Sequence, residues 1–242
     1  MLLRCLQTWA PLRKEPTSTS EMVSSLLFGE TCIVQYHEKD WLYVTCTFDS
    51  YEGWIPTSYL DPIEAPAHEW DKVVCGHRTS LVFQENRIHL SLGSQIPDAN
   101  SVEIRGLQWQ IEDNSTVITS EPWQLAKTLL HVPYLWGGRS DCGIDCSGLT
   151  QVVYKCIGLQ LPRDSRDQAL SGEAISFGSQ LPNDLAFFNN MEGKITHVGV
   201  VSPNGIIHAS GWVKEEVLTE KGIVNTQSGD ISHPLHSIRR II

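Results

Sequence analysis

The chain has no run of about 18 apolar residues, so nothing in it reads as a membrane-spanning helix. It is also short of positive charge. Its 18 Lys and Arg stand against 28 Asp and Glu, a formal net charge of −10, and the basic residues are scattered. Without a basic stripe, a phosphate-backbone ligand is excluded, and no nucleic-acid partner is expected. The seven cysteines are odd in number and irregular in spacing, which does not read as a disulfide framework. The opening "MLLRCLQTWAPLRKE" lacks the long apolar segment of an export signal. These features lead to the expectation of a reduced, cytoplasmic protein, the alternative being an exported one whose leader has been removed. Cys142 and Cys146 are three residues apart, but no second Cys/His pair stands at zinc-like spacing, so no metal is expected. There is no fixed-period repeat.

What is present is ordinary globular material, 41% hydrophobic over 242 residues, enough for one large domain or a few small ones. In residues 1–62, Ile33 and Val34, Trp41 to Val44, and Trp54 with Ile55 are separated by the polar turns "EKD" and "DSYEG". Apolar runs this short and close predict a small β-barrel. "DPIEAPAHEWD" (61–71), with two prolines, reads as a linker. Residues 63–119 carry "KVVCGH", "TSLVFQ", "RIHLSL" and "SVEIRGLQWQIED", which suggest a second small barrel. At "SEPWQLAKTLLHVPYLWGG" the apolar period becomes helical. Ser120 is the expected cap, with Glu121 and Pro122 in the first turn and Pro133 as the stop, and the third domain is taken as 120–242.

"GIDCSGLTQVVY" (143–154) carries the chemistry. Leu149, Val152, Val153 and Cys156 recur at steps of three and four, a helix face, and Gly158 is placed to end it. Asp145 is a good N-cap, which sets Cys146 in the first turn, where unpaired N–H groups and the helix dipole favour a thiolate. A base is available further on. In "THVGVVSPNGIIHASG", "SPNG" is a turn between two apolar strands, one with His197 and one with His208. Adjacent antiparallel strands would let one imidazole take the thiol proton and the other orient it.

The motifs "PYLWGG", "GIDCSGL", "LPRDSRDQ", "NDLAFF", "THVGVV" and "IIHASG" run in order through 133–211. Residues 122–211 resemble the NlpC family of bacterial cell-wall cysteine peptidases. The resemblance implies an α+β, papain-like catalytic domain with Cys146 as nucleophile, His197 as base and His208 as the orienting residue, and no cofactor. "RSDC" before the motif departs from the family pattern, and "NDL" stands where "GDL" is usual. The N-terminal region, with Gly29, Trp41 and "GWIPTSYL", is similar to bacterial SH3-like barrels. Barrels with this peptidase resemble the γ-D-glutamyl-L-diamino acid endopeptidases, which act on peptidoglycan fragments. That subgroup implies Asp164 and Ser165 as substrate contacts and, by motif position, Glu21 and Tyr51 as the groups that meet a free N-terminal amine together with Asp145.

Each assignment has a structural reading beside it. Ser165 and Gln168 form S-x-x-Q, a capping box. Asp145 and Ser147 open a helix as well as facing a substrate. Tyr134 is either core or a donor to the oxyanion. No role is read for His37, His68, His77, His89, His131, His233 or His236. Rival functions are an N-acetylmuramoyl-L-alanine amidase or an acyltransferase on the same fold, or an inert cell-wall binding module.

Overall fold

The structure is a computed structural model, and it describes residues 1–63, 70–76, 79–113, 121–226 and 228–241. Two compact units emerge from it. One comprises Met1–Ile118 and Trp136–Cys142, the other Thr119–Leu135 and Gly143–Ile242.

The first unit is built mainly of β-strands among its described residues, as its short apolar runs require, with one 3-10 turn at Thr57–Tyr59. Seven strands between Leu2 and Pro62 hydrogen-bond in one sheet, with Leu2–Cys5 and Leu60–Pro62 at one side and Trp9–Arg13 and Met22–Leu27 at the other. Leu3, Leu12, Leu26, Val44 and Ile55 close its core. A four-stranded antiparallel sheet follows, built from Thr79–Phe83, Asn86–His89, Ser101–Ile104 and Leu107–Asp113. Lys72–Val73 pairs separately with Gln95–Ile96. This second core, with Leu81, Leu90, Ile96 and Val102, also takes in Phe28 from the turn after Met22–Leu27, whose ring stacks on Trp70 at 5.5 Å. Most of the expected linker lies outside the described residues.

The segment Trp136–Cys142 is built into this unit. Gly137 has φ +78°, and a Cβ there would lie 2.7 Å from the Met22 carbonyl oxygen, so only glycine fits. Arg139 is buried, and its guanidinium donates two parallel bonds to Glu30, both 2.9 Å, and a third to the Ser25 carbonyl at 2.8 Å. Glu30 also accepts the Leu27 N–H at 2.8 Å. A fork-to-fork pair with further backbone partners is the arrangement in which two buried charges are tolerated, although the buried Arg139 Nε finds no acceptor among the described residues.

The second unit sets three helices against a sheet. Strands Leu185–Asn189, Ile195–Ser202, Gly205–Ser210, Trp212–Thr219, Gly222–Val224 and Ile231–Arg240 follow one another as antiparallel neighbours. The last strand pairs with Gly222–Val224 through its first half and with Leu185–Asn189 through its second, so the hydrogen bonding closes on itself. Helix α1 (Pro122–Thr128) ends earlier than the sequence suggests. Beyond Leu129 the backbone pairs instead with Val213, at His131 and Val132, and His131 takes φ +72°. Pro133 therefore lies outside the helix it was expected to stop. The expected cap, Ser120, lies outside the described residues, and Glu121 occupies the N-cap position without a side-chain cap bond, its carboxylate accepting instead from Asn183 Nδ2.

Helix α2 (Cys146–Lys155) packs on Ile195–Ser202 and Gly205–Ser210. Leu149, Val152 and Val153 are fully buried, each contributing about 1.5–3 kcal/mol of transfer free energy. Cys156 is only half-buried, at the edge of that face. Gly158, at φ +80°, returns its N–H to the Lys155 carbonyl, while Leu159 bonds the Tyr154 carbonyl, closing the helix end.

Candidate active site

Asp145 caps α2 as its residue type demands. Its backbone is extended, and Oδ1 accepts the Gly148 N–H at 2.7 Å. This sets Cys146 as the first helical residue. Asp145 is buried, and Arg163 neutralises it through two bonds, one of 3.0 Å to Oδ1 and a shorter one to Oδ2. Arg163 also donates to Ser147 Oγ at 2.8 Å. Ser147 and Asp145 are thus held by the helix start and by Arg163, a residue the sequence did not single out.

The segment carrying Arg163 leads into α3 (Ser165–Gln168). The capping box expected there does not form. Asp164, not Ser165, is the N-cap residue, without a side-chain cap bond. Gln168 is buried and turns inward, donating to the carbonyls of Ser147 at 3.0 Å and Pro162 at 2.8 Å and accepting from Thr150 Oγ1 at 2.7 Å. Its amide has more partners under α2 than a helix end would offer. Asp164 and Ser165 are left half-buried at the start of α3.

Two of the three expected chemical groups are directly joined. The hairpin turning at Pro203 and Asn204 pairs Gly199 with His208, which puts His197 and His208 on one face. His197 Nε2 lies 2.8 Å from His208 Nδ1. The line continues: His208 Nε2 is 2.9 Å from Glu216 Oε2, and Lys214 Nζ is 3.3 Å from the same oxygen. Cys146 joins through α2. Its thiol is met by the backbone N–H groups of Val198, the residue after His197, and of Ser147. Tyr134, half-buried, bridges to Ile144 just before the Asp145–Cys146 pair, and its hydroxyl is pushed up by burial and by Cys146 and Asp145.

The hydrogen-bond directions follow from the acid. Burial alone would raise Glu216, but the bond from His208 and the Lys214 ammonium outweigh it and hold the carboxyl below its usual range. An ionised carboxylate only accepts, so His208 carries its proton on Nε2 and presents the Nδ1 lone pair to His197. His197 must then donate through Nε2, which leaves its Nδ1 as a base. Both rings are neutral. Burial first, then the neighbouring histidines and Lys214, hold His197 well below 6.5. Burial takes His208 down to about 4 despite Glu216.

The thiol corrects one expectation. A helix N-terminus was expected to favour the thiolate, yet burial, with Asp145 adding to it, pushes Cys146 up to about 12. The Val198 and Ser147 N–H groups and Arg163 only partly offset this. Cys146 is 5% exposed, and desolvating a thiolate costs more than two N–H groups return. The resting pair is thiol and imidazole.

His233 was passed over in the sequence. Its ring stacks on His197 at 4.2 Å and 27°, and one ring nitrogen from each of His197, His208 and His233 lies within 4.8 Å of the others. Glu216, Lys214 and His233 carried no local signal, since strand register alone brings them in. Glu21 and Tyr51 lie in the first unit. Glu21 is exposed, accepts the Trp136 indole N–H at 3.0 Å and stands 3.6 Å from Lys14, while Tyr51 is half-buried, its N–H on Asp49. Cys142, in the same unit, is exposed.

Comparison with known proteins agrees with this architecture. The NlpC/P60 family matches residues 131–230, and the bacterial dipeptidyl-peptidase SH3 domain matches residues 12–60. The chain is 27% identical over 223 residues to the γ-D-glutamyl-L-lysine dipeptidyl-peptidase of Bacillus subtilis, covering 81% of this chain and 75% of that protein. It is 34% identical over 125 residues to the probable endopeptidase NlpC of Escherichia coli, covering 50% of this chain and 75% of that protein. The crystal structure of an NlpC/P60 family protein from Bacillus cereus shares the fold, with a TM-score of 0.80 at 20% identity, covering 100% of this chain and 99% of that one. The match to the family model and the 34% identity to a relative covered over three quarters of its length lead to one conclusion: the chain belongs to the NlpC/P60 family.

Proposed function

We propose that this chain is a cysteine peptidase that hydrolyses the γ-D-glutamyl-diamino acid bond of peptidoglycan-derived peptides bearing a free N-terminal L-alanine. One observation carries the chemistry: Cys146 opens α2 beside a directed line of hydrogen bonds, Glu216 to His208 to His197, that ends in a basic nitrogen. The choice of bond is supported by relatives named γ-D-glutamyl-L-lysine dipeptidyl-peptidase, matched over most of their length, and by the dipeptidyl-peptidase type of the SH3 domain.

On this reading Sγ attacks the γ-glutamyl carbonyl carbon as its proton passes to His197 Nδ1. The oxyanion meets the Cys146 backbone N–H and the Tyr134 hydroxyl. The imidazolium, steadied through His208 and Glu216, returns the proton to the leaving amine, and water then hydrolyses the thioester. No cofactor is needed. Asp164 and Ser165 are assigned to substrate by family resemblance. Asp145 and Ser147 serve mainly by holding the helix start, since Arg163 already meets the Asp145 charge. The assignment of Glu21 and Tyr51 to the substrate ammonium rests on motif position. Comparing the free and N-acetyl tripeptides tests it, with equal kcat/KM counting against it.

The decisive experiment is mass spectrometry of products from defined muropeptides. Release of L-Ala-D-Glu from L-Ala-γ-D-Glu-diamino acid peptides is expected. Cleavage between muramic acid and L-alanine would establish the amidase instead.

A further inference from the structure

His197, His208 and His233 come from three different strands, and one nitrogen from each lies within 4.8 Å of the other two. Catalysis as proposed uses two of these rings. The third is where a metal site would need it. We propose that the His197–His208–His233 cluster binds a zinc ion, and that zinc bound there holds the peptidase inactive.

The donor set suits the ion. Imidazole nitrogen is the ligand type for zinc, and three histidines with an open fourth position is a common zinc arrangement. The second shell is already built. A histidine ligand normally gives its other N–H to a carboxylate, and His208 does so, through Nε2 to Glu216 Oε2 at 2.9 Å. Glu216 also pairs with the Lys214 ammonium at 3.3 Å and offsets a charge that opposes a cation.

The rings must turn so that their lone pairs converge on the ion, but the separations are near those required. Two nitrogens on a tetrahedral zinc are separated by about 3.3 Å. His197 Nε2 and His208 Nδ1 would part slightly from 2.8 Å, and His233 would close from 4.8 Å or less. His197 and His208 are buried, while His233 is half-buried and gives the ion its way in.

Inhibition follows from proton positions, and this half rests on the catalytic reading above. Zinc can take His197 Nε2 only in the other tautomer of the neutral ring, in which its single proton has moved from Nε2 to Nδ1 and the bond to His208 is given up. That proton then blocks Nδ1, the atom needed as base.

The test separates binding from activity. Full-length Cys146→Ser is titrated with Zn²⁺, followed by calorimetry and thermal midpoint, and with Co²⁺, followed by its visible spectrum. The expected result is one equivalent bound, a raised midpoint and an intense four- or five-coordinate Co²⁺ band. Adding His233→Ala or His233→Asn should weaken binding at least tenfold, with near-ultraviolet circular dichroism confirming the fold. Equal zinc affinity with and without His233, or loss of binding on Cys142→Ala instead, would overturn the site. In the wild-type enzyme Zn²⁺ should block turnover, Mg²⁺ should not, and chelation should restore it. Turnover unaffected at a zinc concentration that saturates Cys146→Ser would overturn the inhibition while leaving the site.

Discussion

At the scale of single residues, the geometry assigns a direction to every proton between Glu216 and His197. Glu216→Gln keeps the size of the side chain but adds a donor, so His208 can present the wrong nitrogen. With substrate contacts untouched, kcat should fall on the order of 10²–10⁴-fold and KM should change little, read by steady-state kinetics on the tripeptide. Cys146→Ala and His197→Ala should each abolish turnover, the double variant being little worse than either, whereas Cys142→Ala leaves turnover intact. Losses that multiply would show that Cys146 and His197 do not act as a unit. The pH profile carries a sign as well. His197 must be neutral to act and its value is depressed, so activity should persist on acidification well below pH 6.5 before it falls. In the free protein iodoacetamide should modify Cys146 slowly at neutral pH and faster as pH approaches about 12.

At the scale of elements, helix α2 and the histidine hairpin carry the site, and their limits can be tested apart from the chemistry. Gly158 has open space where a Cβ would go, so Gly158→Ala isolates the left-handed backbone, with an expected loss of about 1 kcal/mol in urea unfolding. Burial of neutral His197 and His208 makes the second unit sensitive to acid. Their folded values lie below 6.5, so the unfolded chain binds the extra protons first, and stability should decline as pH drops from about 6.5 towards 4. Helix α2, its cap and the "SPNG" turn were legible in the sequence because the signals that make them lie within a few residues. The same holds for the β content of the first unit. What escaped was decided at long range. The end of α1 depends on Val213, the partners of Gln168 on Ser147 and Pro162, and the approach of His233 on how the last strand joins its neighbours. The high thiol value of Cys146 was hidden for a related reason, since a sequence displays the helix dipole but not the depth of burial.

At the scale of the whole molecule, the chain visits the first unit twice. Arg139, in the second visit, finds Glu30 from the first. Removing one partner strands a buried charge, so Glu30→Ala or Arg139→Ala should cost about 3–5 kcal/mol, whereas replacing both with apolar residues of similar volume should recover much of the loss. Chemical denaturation of the three variants measures this. "RSDC", odd as part of a peptidase motif, makes sense as a piece of the β unit.

That itinerary limits how such a protein can be recombined. A domain fused through one peptide can be traded between genes as a cassette, with a single crossover in the connecting strand of DNA. Here the polypeptide passes between units after Ile118, after Leu135 and after Cys142. A crossover near codon 120 would carry Trp136–Cys142 away with the peptidase and give Arg139 whatever acid the new neighbour happened to offer. A chimera should therefore survive only when the incoming barrel brings its own counterpart of Glu30, and the two parts are inherited as a couple.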